Sequence, residues 1–208
     1  MTTEVTIQKA ERGSSVGAKL NAMALNTFTK TVVGSNNQHV IDDTMLMLWR
    51  ADNNRFSHEY AYVAKEGDRI LGLMTCYPAK TMDRLLFPTA VKILRYRHLG
   101  FLIHSLKNRK DFRSMLRLKE AKEGEFHIGT LAMLPESRGK GIGTMLIHKA
   151  EQFAREQGLD KLSLTVDQNN PAARKLYERV GFHIVHQSDQ KPFAVYRMVK
   201  QVDEGAKR

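Results

Sequence analysis

The stretch PESRGKGIG, residues 135–143, lies between an apolar run typical of a strand and a pattern typical of a helix. Such a junction leaves backbone N–H groups at the helix N-terminus open to an anion, and glycines permit close approach and positive φ. We expect the loop to bind a diphosphate, because a plain connection needs only two or three residues. The glycines and cations that carry this prediction are Arg138, Gly139, Lys140, Gly141 and Gly143.

Two common phosphate-binding motifs do not match this loop. A P-loop requires Gly-Lys followed by Ser or Thr, whereas Gly141 is followed by Ile142. The dinucleotide fingerprint requires G-x-G-x-x-G, but the glycines here follow G-x-G-x-G. The acid after the next strand, Asp167, also lies at about twice the usual distance from the glycine turn.

The chain length of 208 residues favours one globular domain over residues 1–208, since about 150 residues is a common domain length. The single cysteine excludes an internal disulfide. Neither a basic-then-apolar leader nor the ~18 consecutive apolar residues of a membrane span is seen, so we expect a cytoplasmic protein. The formal net charge of +11 favours anionic partners, which include nucleic acid, phosphorylated cofactors and anionic membranes.

Upstream of the loop, the pattern predicts a short first strand, two helices and a hairpin. Ser14 or Ser15 can cap the first helix, and Asp42-Asp43 is expected to begin the second. The runs EYAYVAK and RILGLMTCY, joined by a Gly-Asp turn, have the composition of a β-hairpin.

Downstream of the loop, a helix is expected to end near Gly158, followed by the strand KLSLTV. Pro171 suits the first turn of another helix, which Gly181 ends. Two strands, within FHIV and FAVYRMV, close the chain.

The segments LAMLPESRGKGIGTMLI and LTVDQNNPAARKLYERVGF together resemble the GNAT superfamily of acyl-CoA-dependent N-acyltransferases. The close resemblance covers roughly residues 126–185. The first family signature is matched by Arg138, Gly141 and Gly143. The second is matched by Asn169, Tyr177, Gly181 and Phe182.

The resemblance implies an α/β fold: a mixed, mostly antiparallel twisted sheet, splayed at its centre after Val166, with helices on both faces. It also implies acetyl-CoA as the acyl donor, with its pyrophosphate on the loop amides from Arg138 to Thr144, including Ile142. The resemblance further implies that the pantetheine arm pairs with backbone at Leu131 and Met133 and forms a hydrogen bond with Asn169.

The implied reaction transfers an acetyl group to a primary amine by direct attack in a ternary complex. Tyr177 holds the family's position for the acid that protonates the leaving thiolate. The base is left open. Glu125 and His127 share one face of the strand before the loop, and either residue or a water relay can take the amine proton.

The segment 81–122 is a basic insertion that the minimal fold lacks. Its stretch from Thr81 to Glu120 holds ten Lys or Arg against three Asp or Glu, and its pattern predicts two or three helices. It can cap the core, line the acceptor site, form a dimer surface, or bind nucleic acid or an anionic membrane. We favour a cap that also lines the acceptor site, and a positive wall there favours neutral or acidic acceptors.

A second function class is a non-catalytic module that senses acyl-CoA or binds nucleic acid on the same fold. Because Tyr177 and Asn169 are present and CoA itself carries several phosphate charges, we expect an active enzyme and do not expect nucleic-acid binding. No histidine pairs with cysteine or carboxylate at metal-ligand spacing, so no metal is expected. The acceptor's identity stays open, and a homodimer is possible.

Overall fold

The computed structural model describes residues 4–26 and 28–202. Within these residues, seven strands form one sheet in the order β1-β2-β3-β4-β5-β7-β6. The strands are β1 (Val5–Lys9), β2 (Ala61–Glu66), β3 (Arg69–Pro78), β4 (Glu125–Met133), β5 (Lys161–Asp167), β6 (His183–Ser188) and β7 (Val195–Gln201). The helices are α1 (Ser15–Leu25), α2 (Phe28–Val33), α3 (Gln38–Arg50), α4 (Ala79–Arg97), α5 (Leu99–Lys107), α6 (Arg109–Leu116), α7 (Ile142–Glu156) and α8 (Pro171–Arg179).

The sheet is antiparallel except at its centre, where β4 and β5 run parallel. Their pairing extends only from Glu125 opposite Lys161 to Ile128 opposite Leu164. Beyond that point β4 stays paired with β3 and β5 stays paired with β7, so the sheet opens between them. The predicted mixed, splayed sheet is confirmed, but the opening begins after Leu164, two residues earlier than expected.

Helices cover both faces because the strands alternate two apolar sets. Val63 and Leu73 pack in a cluster with Leu20 of α1 and Trp49 of α3. Their neighbours along the strands point the other way and pack in a cluster with α7. This alternation fixes β3 and β4 between the two layers, and it therefore fixes the loop that follows β4.

The hairpin of β2 and β3 and the two helices after the loop form where the sequence places them. Pro171 is the first residue of α8, and Gly158 and Gly181 take positive φ just beyond the ends of α7 and α8. Ser14 caps α1 by accepting a hydrogen bond from Gly17 N at 3.0 Å. Glycine and proline at element ends restrict the backbone locally, so these boundaries need no tertiary information.

The predicted start of the second helical stretch is wrong. Helix α3 begins at Gln38, four residues before Asp42, because Asn37 supplies the cap. The Asn37 side chain accepts a hydrogen bond from Val40 N at 3.3 Å. Asn is as good a cap as Asp, and the polar run before it conceals the boundary.

The basic segment forms α4, α5 and α6, which follow one another with single-residue breaks at His98 and Asn108. His98 takes a positive φ of 49°, which turns the chain from α4 into α5. Within the described ranges, 4–26 and 28–202, no helix is both long and apolar enough to cross a membrane.

Candidate active site

The loop after β4 presents open backbone to solvent. Gly139 and Gly141 both have φ of 77°, and α7 begins directly afterwards at Ile142. A Cβ built on either glycine finds no atom within 4 Å, so none of the residues that the structure describes covers this face of the loop. Positive φ and an uncovered helix N-terminus fit an anionic group held by amides.

Gly143 has a different role in the same motif. A Cβ there would lie 2.8 Å from Leu176 Cδ2 and 3.3 Å from Met133 Cε. The third glycine therefore allows the first turn of α7 to pack closely against α8 and β4. This packing holds the open loop in place.

A large cavity of about 1080 Å³ occupies the opening between β4 and β5. It runs from the loop glycines, past Tyr177 of α8, to side chains of α4 and α6. Residues of both the loop and the basic insertion line this cavity. One continuous space therefore joins the expected donor side to the expected acceptor side. Leu131, Met133, Arg138, Thr144 and Ile142 all contribute to its lining.

The edge of β4 that faces the opening carries unpaired backbone positions. Leu134 N donates to Leu71 O at 3.0 Å on the β3 side. Because strand residues alternate direction, the amides of Met133 and Leu131 point away from β3, toward β5. Those two amides are therefore available to an extended ligand lying in the opening.

A bulge in β4 brings Tyr77 to the cavity. The register between β3 and β4 shifts so that Thr75 faces Thr130 and Cys76 faces Ile128, which leaves Gly129 as the extra residue. A Cβ on Gly129 would lie 2.5 Å from the Tyr77 hydroxyl oxygen. The glycine therefore leaves room for that hydroxyl, and both residues line the cavity.

Tyr177 lies on α8, buried against Phe182 and lining the cavity. Burial raises the pKa of its phenol to about 12, so the hydroxyl stays protonated at neutral pH. A neutral phenol in a cavity can donate a proton to a group that becomes negative nearby.

A polar cluster, formed by Arg55, Tyr77, Glu120 and His127, lies at the end of the cavity away from the loop. Arg55 Nη2 donates to both carboxylate oxygens of Glu120, at 3.0 and 2.9 Å. Burial acts against the charged form of Glu120, but Arg55 and His127 outweigh it and lower the pKa of the carboxyl. Glu120 is therefore an ionised carboxylate facing the cavity. Sequence patterns did not single out these partners, because Arg55 and Glu120 are 65 residues apart.

His127 is fully buried behind the cavity wall rather than on its surface. Its Nδ1 lies 3.0 Å from Ser163 Oγ, and its Nε2 lies 3.9 Å from a Glu120 oxygen. Burial lowers the pKa of the imidazole to about 4, so the ring is neutral at physiological pH. Nε2 has no hydrogen-bond partner among the described residues.

Glu125 is engaged elsewhere. Both of its carboxylate oxygens accept from Arg197 of β7, and one also accepts from Lys122 N at 2.9 Å. Burial opposes ionisation, yet the hydrogen bonds from Arg197 and from the Lys122 amide lower the pKa of Glu125. Glu125 and His127 are thus both buried on β4, but only His127 approaches the polar cluster.

The two asparagines before α8 occupy different positions. Asn169 is exposed, and its backbone N–H donates to Asp167 Oδ1 at 2.8 Å. Asn170 caps α8 by accepting from Ala173 N at 3.1 Å, and it lines the cavity. Both asparagines are exposed, but of the two it is Asn170 that lines the cavity.

The wall that the insertion presents to the cavity is mostly apolar. Its members include Met82, Leu86, Ile93, Phe112 and Met115. Lys119, Asp83 and Glu120 are the charged contributors from this segment. The expected positive wall is therefore wrong, since the amphipathic helices turn their apolar sides inward and most of their cations outward.

No group of three His, Cys, Asp or Glu side chains suited to a metal ion occurs in the described part of the chain. The fold and the cavity instead define a class of protein in which an open glycine loop, a split sheet and a buried phenol lie along one space.

Comparisons with known proteins agree with this class. The sequence profile of the acetyltransferase (GNAT) family matches residues 22–182, and the chain belongs to that family. An uncharacterized N-acetyltransferase of Bacillus subtilis, YycN, is 39% identical over 82 residues, which are 38% of this chain and 53% of YycN. The chain spans only 21–53% of the length of three curated relatives that it matches.

Solved structures share the fold over nearly the whole chain. An N-acetyltransferase from Staphylococcus aureus Mu50 has a TM-score of 0.67 at 24% identity, with 93% of this chain and 99% of that chain covered. The PaiA N-acetyltransferase from Thermoplasma acidophilum, in complex with coenzyme A, has a TM-score of 0.53 at 13% identity, with 95% and 99% covered. At these identities the likeness shows the fold alone.

Proposed function

We propose that this protein transfers an acetyl group from acetyl-CoA to a primary amine by direct attack within a ternary complex. The observation that carries the proposal is the single cavity that joins the open glycine loop, the free edge of β4 and the Tyr177 phenol. Donor and acceptor can meet in that space without a covalent enzyme intermediate. The alternative, a non-catalytic acyl-CoA sensor or nucleic-acid module, is not favoured, because the named relatives are acetyltransferases.

The donor's pyrophosphate fits the amides between Arg138 and Thr144, with Lys140 adding charge. Gly139 and Gly141 leave this face uncovered, as a ligand of that size requires. The pantetheine arm lies along β4, where the amides of Leu131 and Met133 face the opening. Asn170, rather than Asn169, is placed to donate its side-chain NH2 to the arm, since capping α8 uses only its oxygen.

The chemical step needs one proton removed and one supplied. The amine nitrogen attacks the thioester carbonyl, the C–S bond breaks, and the Tyr177 phenol protonates the departing thiolate. A backbone N–H near Met133 stabilises the oxyanion that forms on the carbonyl oxygen. Tyr177 suits this task because burial keeps it protonated.

Glu120 attracts the amine in its ammonium form, because Arg55 keeps this carboxylate ionised. The ammonium group then gives its proton to water, which leaves the neutral amine that attacks the thioester. His127 lies outside the cavity, 3.9 Å from Glu120 and with no hydrogen bond to it among the described residues, so we assign it no part in the proton transfer. Glu125 is held by Arg197, and we assign it a structural role.

The acceptor is an amine that carries an apolar body. Its ammonium group lies near Glu120 and Tyr77, and its remainder contacts the apolar wall formed by α4 and α6. A hydrophobic wall with a few polar groups at one end favours such amphipathic ligands over polyamines.

The test is thioester consumption measured with an amine panel that pairs each aliphatic or aromatic amine with a polyamine. We expect arylalkyl and alkyl amines to give higher kcat/KM than spermidine. The Tyr177→Phe variant is expected to lose about 10²–10⁴-fold in kcat with the best amine.

Tyr62→Phe is the matched control, because Tyr62 loses the same hydroxyl from a separate, smaller pocket. Its kcat is expected to stay within about twofold of wild type. Equal activity of wild type and Tyr177→Phe would remove the phenol from the mechanism. Spermidine as the best acceptor would contradict the apolar acceptor.

A further inference from the structure

Helix α5 exposes a continuous apolar stripe. The side chains of Leu99, Leu102, Ile103 and Leu106 are 70%, 50%, 54% and 76% exposed. Their spacing of three and four residues places them on one face of the helix. We call these four residues the α5 stripe.

The orientation of α5 is fixed by its opposite face. Phe101 packs so closely on Gly34 that a Cβ there would lie 2.6 Å from the Phe101 ring. Phe101 also meets the ring of Phe112 edge-on, with centroids 6.0 Å apart. The α5 stripe therefore faces outward, since the opposite side of the helix, which carries Phe101, is the partly buried one.

Two more large apolar side chains extend the exposed surface. Phe87 of α4 is 77% exposed and Leu116 of α6 is 68% exposed. Both also line the cavity, so they lie at its rim. Large apolar side chains that are exposed together on one segment of a protein are typical of an interaction site.

Cations adjoin the stripe. Directly after Leu106 the chain carries Lys107, Arg109 and Lys110, all exposed, with Arg113 one helical turn further on. Asp111 is the one acidic residue in the stretch 97–119, against seven Lys or Arg. Apolar side chains bordered by cations are the pattern of helices that lie in the interface of an anionic bilayer.

Other occupants fit less well. A symmetric contact with a second copy would bring the same cations of both copies together, which is unfavourable. Nucleic acid would pair with the cations but would leave the leucines of the α5 stripe against phosphates and water.

We propose that the α5 stripe and its adjoining cations dock this protein on an anionic membrane surface. The leucine and isoleucine side chains enter the headgroup region, and the lysines and arginines pair with lipid phosphates. Docking places the rim at Phe87 and Leu116 beside the bilayer, where an amphipathic amine could enter the cavity. The docking itself does not depend on the proposed acetylation.

The experiment is sedimentation of the full chain with vesicles of phosphatidylglycerol and phosphatidylcholine, compared with vesicles of phosphatidylcholine alone. We expect binding to the anionic vesicles only, weakened by added salt. The Leu99→Ser/Leu106→Ser variant is expected to bind about tenfold or more weakly. The Lys107→Gln/Lys110→Gln variant is expected to bind about 30-fold more weakly.

Two controls remove side chains of the same kinds away from the insertion. Val185→Ser replaces an apolar side chain of β6 that is 44% exposed, and Arg155→Gln removes an exposed cation from α7. Both are expected to bind like wild type, and thermal melts establish that every variant is folded.

Three results would overturn the proposal. The first is absence of vesicle binding by folded wild-type protein, and the second is binding that the stripe variant and its control retain equally. The third is a concentration-dependent dimer that the stripe variant abolishes while vesicles stay unbound. The vesicle experiment contains no acyl donor and no amine. A negative result in it therefore does not bear on the proposed acetylation, and a negative acetylation assay does not bear on membrane docking.

Discussion

Replacing Glu125 with Gln tests whether this carboxylate has a structural role or acts as the catalytic base. Glu125 and Arg197 are both about 95% buried and form an ion pair between β4 and β7. Gln keeps the shape but leaves the Arg197 charge uncompensated. Removing one partner of a buried pair costs about 3–5 kcal/mol, and we take about 3 kcal/mol because the Gln oxygen still accepts one hydrogen bond.

For a chain of this length, 1 kcal/mol corresponds to roughly 2–4 °C in Tm, so Glu125→Gln is expected to lower Tm by about 6–12 °C. The activity of the folded variant, measured well below its transition, is expected to stay within about threefold of wild type. The matched control is Glu178→Gln, which breaks the exposed pair with Arg174 on α8. A pair of that kind contributes about 0.5 kcal/mol, or 1–2 °C.

The stabilisation that Glu125 contributes is expected to depend on pH in one direction. The pKa of Glu125 is lowered in the folded protein, so its contribution is fully present above the unfolded value of about 4.3 and is lost as the pH falls. The difference in Tm between wild type and Glu125→Gln is therefore expected to shrink below about pH 4. An unchanged Tm together with a 100-fold fall in kcat would refute this reasoning and make Glu125 the base.

Two further predictions concern residues around the cavity. His127→Gln is expected to retain kcat within several-fold of wild type. The pH profile of wild-type kcat/KM is expected to show no step near pH 6.5, since the pKa of the buried ring is about 4. A kinetic pKa near 6.5 that this variant abolishes would contradict both expectations. Gly129→Ala is expected to lower Tm by several degrees, because the added Cβ would lie 2.5 Å from the Tyr77 hydroxyl oxygen. Overpacking of this kind destabilises a protein by about 1–3 kcal/mol. A Tm equal to that of wild type would contradict this expectation and show that Tyr77 can move aside.

The half of the fold around the glycine loop was predictable because its boundaries are set locally. Proline at the start of α8 and glycines at the ends of α7 and α8 restrict the backbone in ways a single sequence reveals. The opening of the sheet followed from family resemblance. Its position after Leu164 depends on strand pairing, which the sequence does not encode locally.

The polar end of the cavity was not predictable for a related reason. Arg55, Tyr77 and Glu120 come from three distant segments and meet only in the folded chain. Glu125 and His127 share a strand as expected. The alternation of residues along a strand does not reveal, however, that Glu125 pairs with Arg197 or that His127 is hydrogen-bonded to Ser163. The charge of the insertion was also misleading, since composition does not say which side of a helix faces the cavity.

The most direct test of the central claim is calorimetric titration of CoA and acetyl-CoA into wild type, Gly141→Ala and Gly158→Ala. Both glycines have positive φ, at 77° and 69°, and open space at Cβ, so both substitutions cost similar strain of about 1 kcal/mol. We expect wild type and Gly158→Ala to bind alike, and Gly141→Ala to bind at least tenfold more weakly. Folded wild-type protein that takes up neither ligand would contradict the account.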